Sequence, residues 1–292
     1  MSSPPPDDYF LARAHVRRAF DRASSTFDEF SAVHAEVRTR LLERLDVVRL
    51  QPSVVVDLGA GTGHASRALQ DRYRSAHVIA LDASMGMLAQ ARKQQRFLRR
   101  FARVASDAHE LGLRSASVDL VVSNLMLQWC ADPDRVFEEI ARVLRPQGLV
   151  TFTTLGPDTL RELRSAWDDQ HVHVHRFIDM HDLGDALMRA GFAEPVMDTE
   201  RLTVTYRSAD ALFRELKGSG STNLAAGRRR TLTGPKKQQR ARSLYEARVY
   251  DGLLPITLEV VYGHAWAVDR RGKGSRQDGV RVPITQIGRR QR

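Results

Sequence analysis

The chain has 292 residues, with 45 Lys plus Arg against 35 Asp plus Glu, a formal charge of +10 and 42% apolar residues. This is an ordinary soluble composition, long enough for one large or two modest domains whose core needs neither disulfides nor a structural metal. The lone Cys130 has no second cysteine to bridge, and the opening MSSPPPDDYF lacks the basic flank and apolar run of a secretory signal. No stretch approaches about 18 consecutive apolar residues, so the expectation is a cytoplasmic protein without a membrane span.

In chain order, Val37, Leu41, Leu45 and Val48 recur at helical spacing and predict a helix over about 34–49, ended by Pro52. SVVVD at 53–57 is a continuous β-branched run meeting a glycine cluster, the pattern of a strand buried on both faces. HVIALD at 77–82, SVDLVVSN at 117–124 and GLVTFTT at 148–154 repeat it, and FARVAS at 101–106 is a candidate third strand. As an alternative basic face, Arg92, Lys93, Arg96, Arg99, Arg100 and Arg103 are placed on one presumed helix. Asp132 and Pro133 open a further helix as cap and first residue; Val136, Phe137, Ile140, Val143 and Leu144 line one face, and Arg145-Pro146 stops it. Strands alternating with helices on short loops imply a parallel sheet covered by helices, with a ligand crevice at the carboxyl ends of the strands.

The second half reads differently. A helix over about 179–190 is closed by Gly191 and followed by strand-like RLTVTY at 201–206. Ser208 caps a helix with Leu212, Phe213 and Leu216 on one face, KGSGSTN is a loop, and ITLEVVYG at 256–263 is a final strand. The polar, basic stretch over about 207–252 has the look of an insertion on the sheet's edge. Within it, residues 228–248 hold eight Lys or Arg and one acid; residues 270–292 hold the same, which leaves the rest of the chain mildly acidic.

VVVDLGAGTG at 54–63 is the strongest chemical signal, because Gly59, Gly61 and Gly63 remove the Cβ atoms that would keep the backbone away from a ligand. The dinucleotide fingerprint would put its third glycine at 64, where His64 stands, so a pyrophosphate-gripping loop is disfavoured. Asp82 ends the second strand, where a carboxylate can accept both hydroxyls of a ribose. Asp107 follows the third, where it can accept from an adenine amino group. With Asp57 these acids mark three successive strand ends and describe a nucleoside pocket without a phosphate site. His171, His173 and His175 alternate, but no nearby Cys or acid completes a metal-ligand set, and no metal is expected.

These residues resemble the class I S-adenosylmethionine-dependent methyltransferases. The resemblance implies an α/β, Rossmann-like fold: a mostly parallel seven-stranded sheet with helices on both faces and a helical lid or insertion. It implies S-adenosylmethionine as methyl donor, with Asp57 and the glycines facing its methionine portion, Asp82 its ribose, and Ala83 and Met87 also among the cofactor-binding residues. Asp107 with Ala108 would meet the adenine, and Asn124 and Leu125 would border the sulfonium. Beyond the core, TFTTLGPDTLRELRSAW at 151–167, HRFIDMHDLGDALMRAGF at 175–192, LEVVYGHAW at 258–266 and VRRAFDRASSTFDEF at 16–30 are similar to segments of the malonyl-acyl carrier protein O-methyltransferase family. That resemblance implies carboxyl methylation of a malonyl thioester, priming pimeloyl synthesis for biotin. It also implies residues 1–50 as a helical lid region, 51–268 as the methyltransferase domain with its substrate insertion, and 269–292 as a basic tail.

A malonyl carboxyl group has a reference pKa of about 3 to 4, so at neutral pH it is already the nucleophile and needs no general base. Positioning is then the catalysis, with Phe27 and Asn124 as neighbours of the reacting atoms. Phe27 stands where many members of the family carry a tyrosine, which removes an edge hydroxyl there. Arg17, Arg18, Arg22, Arg161 and Arg164 are the candidates to grip the carboxylate. Arg228, Arg229, Arg230, Lys236 and Lys237 would dock the acidic carrier protein. Two other readings share residues 54–154: another small-molecule or carboxyl O-methyltransferase, for which the 207–252 insertion has no use, and a nucleic-acid-binding or RNA-modifying methyltransferase. The second is disfavoured because neither basic cluster is interleaved with base-stacking aromatics.

Overall fold

The computed structural model describes residues 7–167, 171–229, 231 and 234–269. Near its start, α1 (Arg13–Ala23), a 3-10 turn at Phe27–Phe30 and α2 (Ala32–Glu43) precede the sheet. The classical half then alternates β1 (Val54–Leu58), α3 (His64–Arg72), β2 (His77–Asp82), α4 (Met85–Ala91), β3 (Ala102–Ala105), β4 (Val118–Asn124), α5 (Pro133–Val143) and β5 (Leu144–Leu155). It is completed by α6 (Arg161–Arg164), α7 (Met180–Arg189), β6 (Phe192–Tyr206), α8 (Ala209–Gly218), α9 (Pro235–Glu246) and β7 (Leu254–Ala267).

The seven strands form one sheet in the order β3-β2-β1-β4-β5-β7-β6. Continuous apolar runs form its centre because both faces are covered. Val56 and Val121 point into a core built with Val136, Phe137 and Ile140 of α5 and Leu183 and Leu187 of α7, while Val55, Leu120 and Val122 point into another built with Val37 and Leu41 of α2, Leu69 of α3 and Leu88 of α4. The helix ends are fixed as the sequence signals: the carboxylates of Asp132 and Asp179 and the hydroxyl of Ser208 accept backbone N–H groups in the first turns of α5, α7 and α8.

Two expectations are corrected. The sheet is mixed, not mostly parallel: β1–β2, β1–β4, β2–β3 and β4–β5 are parallel, whereas β5–β7 and β7–β6 are antiparallel. The reversal arises at β7, which follows the insertion carrying α8 and α9 and returns antiparallel between β5 and β6. Residues 92–103 are also not one helix. α4 stops at Ala91, a single 3-10 turn follows, Arg96 and Arg99 pair across a tight hairpin, and Arg103 already lies in β3. This basic segment lies at the amino ends of the parallel strands, away from the crevice.

Glu139 is the main buried charge of α5. Its carboxylate accepts from the Leu111 amide at 2.8 Å and from Arg142 Nε and Nη2 at 2.9 and 2.7 Å, tying α5 to the segment before β4. The bonds from Arg142 dominate and hold the carboxyl below its ordinary range against the opposing effect of burial. Glu139→Ala leaves the Leu111 N–H and the Arg142 guanidinium without this partner and should lower stability by about 3 kcal/mol at pH 7. Because the native carboxyl is depressed, this contribution is complete above the usual glutamate range and is lost as the pH falls through the native value. Urea unfolding of wild type and variant should therefore diverge at pH 7 and converge on acidification.

Candidate active site

The glycine loop after β1 is clamped to β2 through the backbone: the amides of Gly59 and Ala60 both donate to Leu81 O, at 2.8 and 3.0 Å. Gly59 has φ +75°, and a Cβ there would lie 2.4 Å from Met126 Cγ, so no other residue fits. Asp82 completes the clamp. Its Oδ2 accepts from Gly61 N at 2.9 Å and its Oδ1 from Ser84 N at 2.8 Å, and burial raises its pKa. Ser84 in turn caps α4 by accepting from Met87 N. Asp107 accepts from the His109 amide at 2.9 Å, the His109 ring at 2.7 Å and Arg13 at 3.4 Å. Burial alone would raise the Asp107 carboxyl, but these donors outweigh it and hold it below the carboxylate range.

A cavity opens over this framework at the carboxyl ends of β1, β2 and β4. Among the predicted residues, Gly59, Gly61, Asp82, Ala83, Met87, Asp107, Ala108, Asn124, Leu125 and Phe27 line it. Asp57 and Gly63 stand one layer behind. The Asp57 carboxyl accepts from Ser66 Oγ on the first turns of α3, and burial pushes it up to about 6. A Cβ on Gly63 would meet Ala91 and Phe101, so that glycine serves the packing of α3 on α4. Leu125 holds φ +51°, and its amide is anchored on Thr153. The Asn124 side chain is committed on both sides: Nδ2 donates to His34 O at 3.1 Å, and Oδ1 accepts from Thr153 Oγ1 at 2.9 Å.

The cavity's roof comes from the amino-terminal segment, through Val16, Arg17, Phe20 and Phe27. Two acids that the sequence reading missed hold this roof down. Asp21 accepts from Ser84 Oγ at 2.6 Å and from Gly86 N at 3.0 Å, and Asp28 accepts from Thr62 Oγ1 at 2.5 Å and pairs with His64 at 3.3 Å. His64, where a dinucleotide loop would need glycine, therefore packs against the roof. The sequence carries no local signal for either acid, because both partners are remote in the chain.

A second cavity adjoins the first. His34, Leu125 and Trp129 line both, and beyond them the walls are mainly apolar: Val33, Leu155, Leu163, Phe177, Leu212 and Ile256, with α8 forming one side. Among its described lining residues Glu215, whose carboxyl burial pushes up, and Lys217 are the acid and the base outside the histidines, and no arginine is present. Of the candidate arginines only Arg17 lines the first cavity. Arg18 and Arg22 are exposed on α1; Arg161 pairs with Asp158 and Glu162, and Arg164 donates to Pro157 O and Thr159 O. The alternating histidines find other work: His173 stacks flat on Trp167 at 3.7 Å between ring centres, and His175 is buried edge-on to Trp129 at 4.7 Å.

The insertion supplies the outer wall of the second cavity. Tyr245 of α9 is fully buried in the cluster that contains Leu163, Phe177, Leu212 and Ile256. Of the predicted docking residues, Arg228 is turned inward onto Leu224 O and Ala225 O, Arg229 donates to Thr231, and Lys236 and Lys237 lie on the first turn of α9. Arg230 and the basic tail after Asp269 lie outside the described residues.

Because Asp82 both fixes the loop and presents its remaining lone pairs to the cavity, Asp82→Ala should weaken S-adenosylhomocysteine binding by at least tenfold, at about 1.5 to 3 kcal/mol per hydrogen bond to a charged acceptor. Gly59→Ala should act comparably by displacing Met126. Calorimetric titration of both variants, with unfolding curves as the control for global stability, measures this.

A family model described as a methyltransferase domain matches residues 56–152, the segment from β1 to β5. The chain is 50% identical over 273 residues to the malonyl-acyl carrier protein O-methyltransferase of Methylovorus sp. strain MP688, covering 91% of this chain and 92% of that one. It is 46% identical over 281 residues to the protein of the same name from Laribacter hongkongensis strain HLHK9, covering 93% and 95%. Among solved structures, the YcgJ protein of Bacillus subtilis superposes with a TM-score of 0.56 at 15% identity, over 78% of this chain and 98% of that one, a likeness of fold alone. On the strength of the close relatives and the matched domain, this chain belongs to the malonyl-acyl carrier protein O-methyltransferase family.

Proposed function

We propose that the protein methylates the free carboxyl group of malonyl-acyl carrier protein, the first committed step of a pimeloyl chain for biotin, with the cofactor in the first cavity and the malonyl thioester in the second. The observation that carries this reading is the junction of the two cavities. They share a wall at His34, Leu125 and Trp129, beside Asn124 at the end of β4, so a methyl donor in one and a nucleophile in the other meet there. When bound, S-adenosylmethionine supplies the methyl group: a carboxylate oxygen forms the new bond to carbon while the carbon–sulfur bond breaks with its electron pair to sulfur, and no proton changes hands.

The residues fit this cofactor. Asp82 offers an acceptor for ribose hydroxyls and Asp107 one for an adenine amino group, and the Gly59–Gly61 backbone leaves room for the amino-acid portion. The chain's own contribution is orientation and exclusion of water. The apolar second cavity strips water from the malonyl carboxylate, which strengthens its nucleophilicity, and the roof held by Asp21 and Asp28 covers one side of the first cavity. The long apolar passage suits an acyl thioester arriving on a flexible arm better than a small free acid. Labelled S-adenosylmethionine with malonyl-carrier protein should leave base-labile label on the thioester; absence of label sinks the reading.

Two outcomes follow for specificity. A succinyl thioester places its carboxylate one methylene too far along the cavity, and its specificity constant should be about 10 to 200 times lower than that of malonyl. The half-buried Arg229 and the exposed Lys236 of the insertion should steer an acidic carrier protein. Reversing both to Glu should lower kcat/KM for malonyl-carrier protein at low salt, with the difference from wild type shrinking as salt rises and turnover of malonyl-coenzyme A much less affected.

A further inference from the structure

His34 occupies the wall where the two cavities meet; of the three residues that line both, His34 and Trp129 carry a ring nitrogen and Leu125 is apolar. The ring is held in place by its surroundings. It packs edge-on against Phe27 at 5.1 Å between centres, and its own backbone carbonyl is tied to Asn124 Nδ2 at 3.1 Å. Nδ1 is enclosed and has no hydrogen-bond partner. Nε2 is neither enclosed nor, among the described residues, hydrogen-bonded, so it is the nitrogen through which the ring can meet a ligand in the cavities. Burial, with a smaller contribution from the Arg38 charge, holds the ring's pKa down at about 4, so it is neutral at physiological pH. The neighbouring position 27 carries no hydroxyl to share the task.

The carboxylate needs a particular kind of holder. Its two oxygens have opposite requirements, since one must be oriented and the other must stay free to attack. A guanidinium would engage both and withdraw charge from the nucleophile, and the described lining of the second cavity contains none. A neutral imidazole offers a single N–H, enough to orient one oxygen while leaving the other its charge. Building on the functional assignment above, we infer that His34 is the residue that orients the malonyl carboxylate, donating one hydrogen bond to the oxygen that does not react. The imidazole keeps its proton throughout, so the residue sets substrate affinity and alignment and takes no part in proton transfer.

The test uses the full-length enzyme saturated with S-adenosylhomocysteine, so that binding is read without turnover. Malonyl-coenzyme A and acetyl-coenzyme A are titrated into wild type, His34→Phe and His34→Gln. Wild type should prefer the malonyl thioester. His34→Phe should weaken malonyl binding by about tenfold or more while leaving acetyl and S-adenosylhomocysteine affinities within about twofold. His34→Gln, which restores a neutral N–H, should recover a substantial part of the malonyl preference. The inference is overturned if His34→Phe binds malonyl-coenzyme A as wild type does, or if it loses malonyl and acetyl thioesters equally, which would make the ring a packing element. Equal loss of S-adenosylhomocysteine would overturn it too, since the ring would then serve the cofactor cavity. If wild type shows no malonyl preference and transfers no methyl group to malonyl-carrier protein, the functional assignment itself fails. Wild-type activity with an unaffected His34→Phe removes only the role of His34.

Discussion

A carboxylate taken out of water must be given donors, and the way Asp82 is given them organises the ligand end of the molecule. Its oxygens accept backbone amides from Gly61 and Ser84, so one side chain at the tip of β2 fixes the loop leaving β1 and the start of α4 together. Ser84 then binds Asp21, and Thr62 in the same loop binds Asp28. The roof is thus secured to the very segments that shape the cavity floor, and desolvation of Asp82 is offset by donors whose positions the cavity needs in any case. A ligand that completes the remaining acceptor sites of Asp82 and Asp107 stabilises the roof as well as the floor.

On the proposed assignment, the second cavity meets a different electrostatic demand. An anionic nucleophile is most reactive when poorly solvated, yet a site that strips its water without compensation will not bind it. Apolar walls, with polar groups such as Glu215, Lys217, Ser219 and Asn223 supplied by the insertion, strike that balance. The other buried histidine of this cavity, His175, is likewise neutral, its pKa pushed down to about 4 by burial. Cys130 nearby has its thiol raised to about 12 by burial, which leaves it a packing residue with no nucleophilic competition for the methyl group.

Much of the architecture was legible in the residues because it is local. β2 begins and ends where its apolar run does, α5 starts at the predicted Asp132 cap, and Ser208 caps α8, since strands buried on both faces and helix caps are written into neighbouring positions. β5, β6 and β7 are longer than their apolar cores because pairing with neighbouring strands extends them over polar residues. The basic run at 92–103 misled because charge spacing alone does not distinguish a helix from a hairpin. The strand-end residues that line the first cavity were readable from the sequence, whereas the places of Asp21, Asp28 and His34 were not: their contacts are with residues far away in the chain, and nothing beside them announces it.

The place of β7 in the sheet has a consequence for how the protein is made. β7 follows β6 in sequence yet fills the gap between β5 and β6, pairing with β6 along nearly its whole length and with β5 over Val260–Trp266. Until residues 254–267 have emerged from the ribosome, β5 presents an open edge of apolar residues and β6 has nowhere to dock. The nascent chain must therefore carry an exposed half-sheet through synthesis of the whole insertion, with closure arriving late and over a long sequence separation. Overproduction that outruns chaperone capacity should be punished at this stage by aggregation of the unfinished chain, a cost set by strand order and independent of how stable the finished enzyme is.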